Sequence, residues 1–202
     1  TSTSNKIVWH STVAPGDIVV VDRNCHKSIL HAIMMTGALP VFLMPTRNHY
    51  GIIGPIPRSE FEPETIRRKM AANPFIREIL EKDPNVKPRV LTITQSTYDG
   101  ILYNVEEIKT LLDGEIETLH FDEAWLPHAA FHDFYGDYHA IGEGRPRCDT
   151  SMVFATQSTH KLLAGISQAS QILVQDANLN KLDTNLFNEA YLMHTSTSPQ
   201  YA

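Results

Sequence analysis

Short apolar runs rich in β-branched residues alternate with helix-patterned segments along the whole chain, and this alternation limits the possible folds more than any other feature. Strand-like runs fall at residues 17–21, 39–44, 89–94, 117–122, 152–156 and 169–175. Between and around them, an amphipathic opening at 5–10 and helical patterns at 27–36, 63–73, 74–82, 105–112 and 186–194 supply the covering elements. Pro63 and Pro74 suit the first turn of a helix, where a missing N–H costs nothing. Strands that are apolar on both faces must be covered on both faces. The expected architecture is therefore α/β, with three layers and a mainly parallel, mixed sheet in the middle. The segment 136–147, rich in glycine and charge, is expected to be an exposed loop.

In an open sheet of this kind ligands bind beyond the carboxyl ends of the strands. Two chemically useful residues fall there. Asp122 closes the run 117–122, and Lys161 follows the run 152–156 within Ser158-Thr159-His160-Lys161. A pyridoxal phosphate (PLP) enzyme needs this pair: an amine to form an imine with the cofactor aldehyde, and a carboxylate to keep the pyridine nitrogen protonated. Taken singly, an aspartate after a strand is most often a cap or turn residue, and a lysine a solvated charge. Their shared position is what favours a site.

Six segments carry a resemblance. They are Asp22-Arg23-Asn24-Cys25-His26-Lys27-Ser28, Pro45-Thr46-Arg47-Asn48 with Tyr50-Gly51-Ile52, Ser96-Thr97-Tyr98-Asp99-Gly100, Phe121-Asp122-Glu123-Ala124-Trp125, Gln157-Ser158-Thr159-His160-Lys161-Leu162-Leu163 and Phe187-Asn188-Glu189-Ala190-Tyr191. In this order they resemble the bacterial ornithine/lysine/arginine decarboxylases, from Thr1 to Ala202. The resemblance implies the PLP-dependent transferase-like fold (fold type I), with residues 1–202 as an incomplete PLP-binding major domain. It also implies further domains on either side, because Thr1-Ser2-Thr3-Ser4 begins inside what resembles the cofactor-phosphate loop.

By the same resemblance, Lys161 forms the imine, Asp122 pairs with the pyridine nitrogen, and His26 stacks on one face of the ring. Ala124 lies on the other face, and Trp125 contacts cofactor or substrate. Thr1, Ser2, Ser158 and His160 hold the phosphate, and Ser196 is delivered from a neighbouring subunit, which makes a homodimer the active unit. From the residues alone, His26 reads equally as a helix N-terminal or core histidine, Trp125 as a core residue, and the Ser/Thr groups as caps. The implied reaction is decarboxylation of a basic L-amino acid, lysine to cadaverine first, with arginine or ornithine as alternatives. Glu123 bears on that choice, because arginine-specific relatives also carry it.

Two other classes remain open. His128 and His132 have helical metal-ligand spacing, with His120, Asp122 and His139 nearby, so a metal-dependent hydrolase is a rival; no HExxH glutamate accompanies them, and Pro127 disturbs a regular helix. An inactive scaffold of the same fold is the third reading. The formal charge of −6 argues against a nucleic-acid partner. No apolar run is long enough to span a bilayer, and no signal-peptide pattern is present, so the default location is the cytoplasm. Cys25 and Cys148 make no disulfide framework and are read as reduced thiols.

Overall fold

The computed structural model describes residues 1–176 and 181–195. Six strands form one sheet: β1 (Ile18–Asp22), β2 (Leu39–Leu43), β3 (Val90–Thr94), β4 (Thr118–Asp122), β5 (Met152–Gln157) and β6 (Gln171–Gln175). Their order is β2-β1-β3-β4-β5-β6. All neighbours are parallel except β5 and β6, which run antiparallel. The sheet is thus mixed but mainly parallel, as the alternation requires. The last strand starts two residues later than its sequence pattern, because His160 Nδ1 engages the carbonyl of Ala169 at 2.8 Å and takes that residue out of the ladder.

Helices cover both faces. On one side lie α1 (Ser2–Thr12), α2 (Lys27–Thr36) and α7 (Thr184–His194); on the other lie α3 (Pro63–Ala72), α4 (Pro74–Lys82) and α5 (Val105–Leu112). Period-two alternation decides which strand residues meet which layer. Leu91, Ile93, Leu119, Phe121, Val153 and Ala155 pack with Ile66, Met70, Ile76 and Leu112 of α3 to α5. Val19, Val21 and Val90 instead meet Trp9, Ile29 and Ile33 of α1 and α2. A single turn, α6 (Thr159–Leu162), follows β5.

Local signals explain the helix ends. Pro63 and Pro74 occupy first-turn positions, and Asn73, Asn104 and Asp183 cap α4, α5 and α7 by accepting backbone N–H groups. Because of the Asp183 cap, α7 begins at Thr184, ahead of its apolar pattern. Gly37 ends α2 at φ +69°, a left-handed conformation that a side chain would strain.

The segment 136–147 corrects an expectation. It is not simply an exposed loop: Ala140 is fully buried and His139 nearly so. Its buried backbone is matched by polar side chains from the sheet and α5. Ala140 N–H donates to Glu123 Oε1 at 2.6 Å, and Lys109 Nζ donates to the carbonyls of Ala140 at 2.5 Å and Pro146 at 2.8 Å. Gln157 Nε2 donates to the second carboxylate oxygen of Glu123 at 2.6 Å.

Burial pushes the Glu123 carboxyl up to about 7 and the Lys109 ammonium down to about 8. A carboxyl whose folded value lies above its unfolded value near 4.5 gives stability that is present below pH 4.5 and lost as pH rises towards 7. The loss is on the order of 3 kcal/mol. In the intact protein, Glu123→Gln stays neutral, so its stability should not fall between pH 4.5 and pH 8 as that of the wild type does by a few kcal/mol, while its NH₂, facing one of the two N–H donors, lowers its stability by a pH-independent amount. Urea unfolding across that range tests this; parallel pH profiles for the two proteins would show that Glu123 ionises without cost.

Candidate active site

A cleft of about 560 Å³ opens beyond the carboxyl ends of β1, β3 and β4, with His26, Asp122, Ala124, Trp125 and Lys161 in its walls. Each arrives from a different connection: His26 from the start of α2, Asp122 from the last position of β4, Ala124 and Trp125 from the turn after it, and Lys161 from α6. The register explains why they converge. Thr94, Asp122 and Thr156 stand side by side at the ends of β3, β4 and β5, so the segments leaving this row share one rim.

Asp122 is the electrostatic centre. It is 2% exposed, and its Oδ2 accepts from Asn5 Nδ2 at 2.8 Å, whereas its Oδ1 is buried with no protein partner among the described residues. Burial raises its pKa, opposed by the Asn5 hydrogen bond and by the nearby His26. A half-satisfied buried carboxylate calls for a cationic N–H donor. His26 is both things that its sequence allowed. Its Nδ1 caps α2 by accepting from Ser28 N–H at 3.2 Å, and its ring forms part of the cleft wall.

Lys161 Nζ lies 4.5 Å from the centroid of the Trp125 ring, a cation–π contact. Burial lowers its pKa, with Asp122 opposing, which favours the neutral, nucleophilic amine. Trp125 is only partly buried and lines the cleft, so it is not a core residue; Tyr98 meets it edge-on with centroids 5.6 Å apart.

A second, polar recess adjoins the cleft and contains Thr1, Ser2, His26, Ser158, His160 and Lys161. Ser158 Oγ accepts from the Thr1 backbone nitrogen at 3.1 Å and donates to Thr1 Oγ1 at 3.3 Å. The first turn of α1 opens here, so hydroxyls, an imidazole and helix N–H groups converge on one volume suited to an anion. Ser196 lies outside the described residues.

The structure separates two other candidates from the site. Glu123 points to the opposite face of the sheet into its bonds with Ala140 and Gln157, and it is absent from the cleft wall, so its identity says nothing directly about substrate choice. The histidines of the metal reading are dispersed. His120 is buried between Thr92 and Thr156, His128 and His132 flank one short 3₁₀ turn, Ala129–Phe131, and do not share a regular α-helix, and His139 Nδ1 engages the Tyr135 carbonyl. Among the described residues, no three His, Cys, Asp or Glu side chains come together as a metal site. Residues that sequence reasoning missed are Asn5 and Ser28, which reach Asp122 and His26, and Arg47 on the cleft wall. Asn5 and Trp9 are one helical turn apart, and that spacing was the available signal.

Comparison with known proteins identifies the family of the chain. The family model described as Orn/Lys/Arg decarboxylase, major domain, matches residues 1–202. The lysine decarboxylase LdcA of Pseudomonas aeruginosa is 57% identical over 201 residues, which cover 100% of this chain and 26% of that protein. The biodegradative arginine decarboxylase of Escherichia coli (strain K12) is 45% identical over 203 residues, again covering 100% of this chain and 26% of the relative. A solved structure, lysine decarboxylase A from Pseudomonas aeruginosa, superposes with a TM-score of 0.86 at 57% identity, over 98% of this chain and 26% of that one. The chain thus spans about a quarter of the length of these relatives. With its mixed three-layer sheet and its Asp122 and Lys161 cleft, it belongs to the Orn/Lys/Arg decarboxylase family as a match to the major domain.

Proposed function

We propose that residues 1–202 form the PLP-binding major domain of a decarboxylase acting on a basic L-amino acid, with L-lysine the first choice of substrate and cadaverine the product. The observation that carries this reading is the buried, unpartnered Oδ1 of Asp122 in a cleft that also holds the Lys161 amine. The donor set fits PLP. Asp122 suits the pyridinium N–H, Lys161 the aldehyde, His26 and Ala124 the two faces of the ring, and Thr1, Ser2, Ser158 and His160 the phosphate.

When bound, PLP supplies an aldehyde for amine capture and a cationic ring that takes up the electron pair left as carbon dioxide departs. The chain's own residues do the rest. Lys161 Nζ must be unprotonated to react, and its partial burial favours that form. Asp122 keeps a proton on the ring nitrogen by accepting from it as a carboxylate, a charge-assisted bond worth roughly 1.5–3 kcal/mol. Trp125 and Tyr98 line one side of the cleft, where Trp125 meets the Lys161 amine. Overall, the α-carboxylate leaves as carbon dioxide and a proton returns to the α-carbon.

The name of the 57% identical relative supports lysine. Arginine is the second reading, supported by the name of the 45% identical relative, and ornithine the third, supported by a 35% identical ornithine decarboxylase of Haemophilus influenzae. Selection among the three depends on groups that meet the distal amine or guanidinium, and Glu123 is not one of them. We also read the active unit as a cytoplasmic homodimer in which each subunit lends Ser196 to its neighbour. No helix among the described residues is long and apolar enough to cross a membrane, and Cys25 and Cys148 are free thiols.

In the full-length protein, Lys161→Ala should lose the visible cofactor band and all carbon dioxide release while keeping its circular dichroism; an unchanged band would remove Lys161 from the assignment. Asp122→Ala should still bind PLP, with turnover reduced on the order of 10²-fold or more; near-normal turnover would mean that another group protonates the ring. Carbon dioxide release measured separately with lysine, arginine and ornithine should be fastest with lysine. No release from any of the three would overturn the decarboxylase reading. Mixing Lys161→Ala with Ser196→Ala subunits should restore activity in heterodimers, and no recovery after verified subunit exchange would place Ser196 outside the partner's site.

A further inference from the structure

Behind Asp122 a line of buried polar side chains crosses the sheet on the face covered by α1. Trp9, Thr92, His120, Thr156 and Asn5 are each at most 1% exposed. Trp9 Nε1 donates to Thr92 Oγ1 at 3.1 Å, and Thr92 Oγ1 lies 3.1 Å from His120 Nδ1. His120 Nε2 lies 3.0 Å from Thr156 Oγ1, which donates to Asn5 Oδ1 at 2.7 Å. Asn5 Nδ2 then donates to Asp122 Oδ2 at 2.8 Å and to Ser28 Oγ at 3.0 Å, and Ser28 Oγ lies 2.8 Å from His26 Nδ1.

Both ends of this line impose one direction. An indole N–H can only donate, so the Thr92 hydroxyl is free to give its own proton to His120 Nδ1. A neutral His120 then carries its proton on Nε2 and donates to Thr156, whose hydroxyl proton goes to Asn5 Oδ1. That bond turns the amide so that its NH₂ faces Asp122 and Ser28. At the far end an ionised carboxylate can only accept, which demands the same amide orientation. Ser28 accepts from Asn5 and gives its proton to His26 Nδ1, leaving His26 neutral with its proton on Nε2. Reversing the link between Thr156 and Asn5 would leave Asn5 Oδ1 facing the Asp122 carboxylate, two acceptors in contact.

We infer that Trp9, Thr92, His120, Thr156 and Asn5 are positioning residues that act as one directional relay, holding His120 in a single tautomer and Asp122 as an ionised acceptor before the cofactor arrives. The inference rests on the PLP reading above and deepens it. The relay counters the cost of burying the carboxylate at the oxygen that the ring does not use, and leaves Oδ1 for the ring nitrogen. The titratable groups around Asp122 are His26 and Cys25 at the start of α2, Lys161 on α6, Glu123 beside it and the Thr1 amino group ahead of α1; none of them is hydrogen-bonded to either Asp122 oxygen. Asn5 is therefore the side chain through which the relay reaches the carboxylate.

The test uses Thr156→Val in the full-length protein, a nearly isosteric change that removes the hydroxyl orienting Asn5, with Thr156→Ser as the conservative control. Two readouts are independent of turnover. In protein stripped of cofactor, nitrogen-15 spectra of labelled histidines should show wild-type His120 as the Nε2–H tautomer and Thr156→Val as a mixture. In PLP titrations, Thr156→Val should bind roughly tenfold more weakly at pH 8, because Asn5, no longer held at Oδ1, turns its NH₂ towards Asp122 less completely, and lose further affinity towards pH 6, as Asp122 protonates more readily beside a less firmly held donor. Thr156→Ser should follow the wild type in both. A folded Thr156→Val protein with an unchanged His120 tautomer and PLP affinity within twofold of wild type at both pH values would overturn the relay. If Thr156→Val fails to fold, Thr156→Ala removes the same hydroxyl without the added methyl group, and the same two readouts support or overturn the relay. Failure of the wild type to bind PLP at any pH would sink the cofactor reading instead, and the histidine spectra would still decide the relay.

Discussion

One carboxylate oxygen governs this structure. Asp122 is buried at the end of a central parallel strand, with Asn5 on one oxygen and no protein partner on the other. A buried anion left half-paired lowers stability, and evolution of a mere scaffold would remove it by replacement with an apolar residue. Its presence makes sense when a ligand supplies the missing cation, because binding then recovers the energy that folding gave up. The parallel register makes this possible: strands that end level with one another put Thr94, Asp122 and Thr156 in one row and send their following segments to the same rim.

The neighbouring carboxylate shows what the sheet does to identical chemistry. Asp122 and Glu123 are adjacent and both buried, but a strand turns successive side chains to opposite faces. Asp122 meets α1 and an open cleft. Glu123 meets Gln157 and the 136–147 segment, where both of its oxygens are bonded and Lys109 lies nearby. One stays available for chemistry and the other is consumed in holding a loop whose backbone would otherwise be buried without partners.

This contrast also explains what was legible in the sequence. The six strands, the helices and the Asp122 and Lys161 pair were readable, because strand burial and cofactor chemistry each leave a local residue pattern. The fate of Glu123 was not, since sequence adjacency to Asp122 suggested a shared site and only the alternation of faces separates them. The burial of Ala140 was hidden for a related reason: glycine and charge imply a loop, but not that Gln95, Lys109 and Glu123 from other elements would satisfy its carbonyls and amides. The antiparallel direction of β6 follows a connection too irregular to read. The buried polar row was half-visible, since Thr92, His120 and Thr156 sit at the inward-facing strand positions opposite Asn5 and Trp9, but a polar residue in a strand signals a network only once its partners are known.

The first helix joins the two halves of the site. It packs on α2 and α7, opens its N-terminus onto the polar recess, and one turn later presents Asn5 to Asp122. Thr1 and Asn5 are separated by four residues, about 6 Å of helix rise. The anion end and the carboxylate end of the site are therefore spaced by a rigid rod. Loops could bring the same residues together, but they would hold that spacing less tightly and lose more entropy on binding a ligand that touches both ends. Trp9, a further turn along, is locked in the core by its indole N–H and by Val13, Ile29 and Ile33. A change that lets this helix slide would disturb the polar recess and the Asp122 contact together, so those two parts of the site have one structural cause.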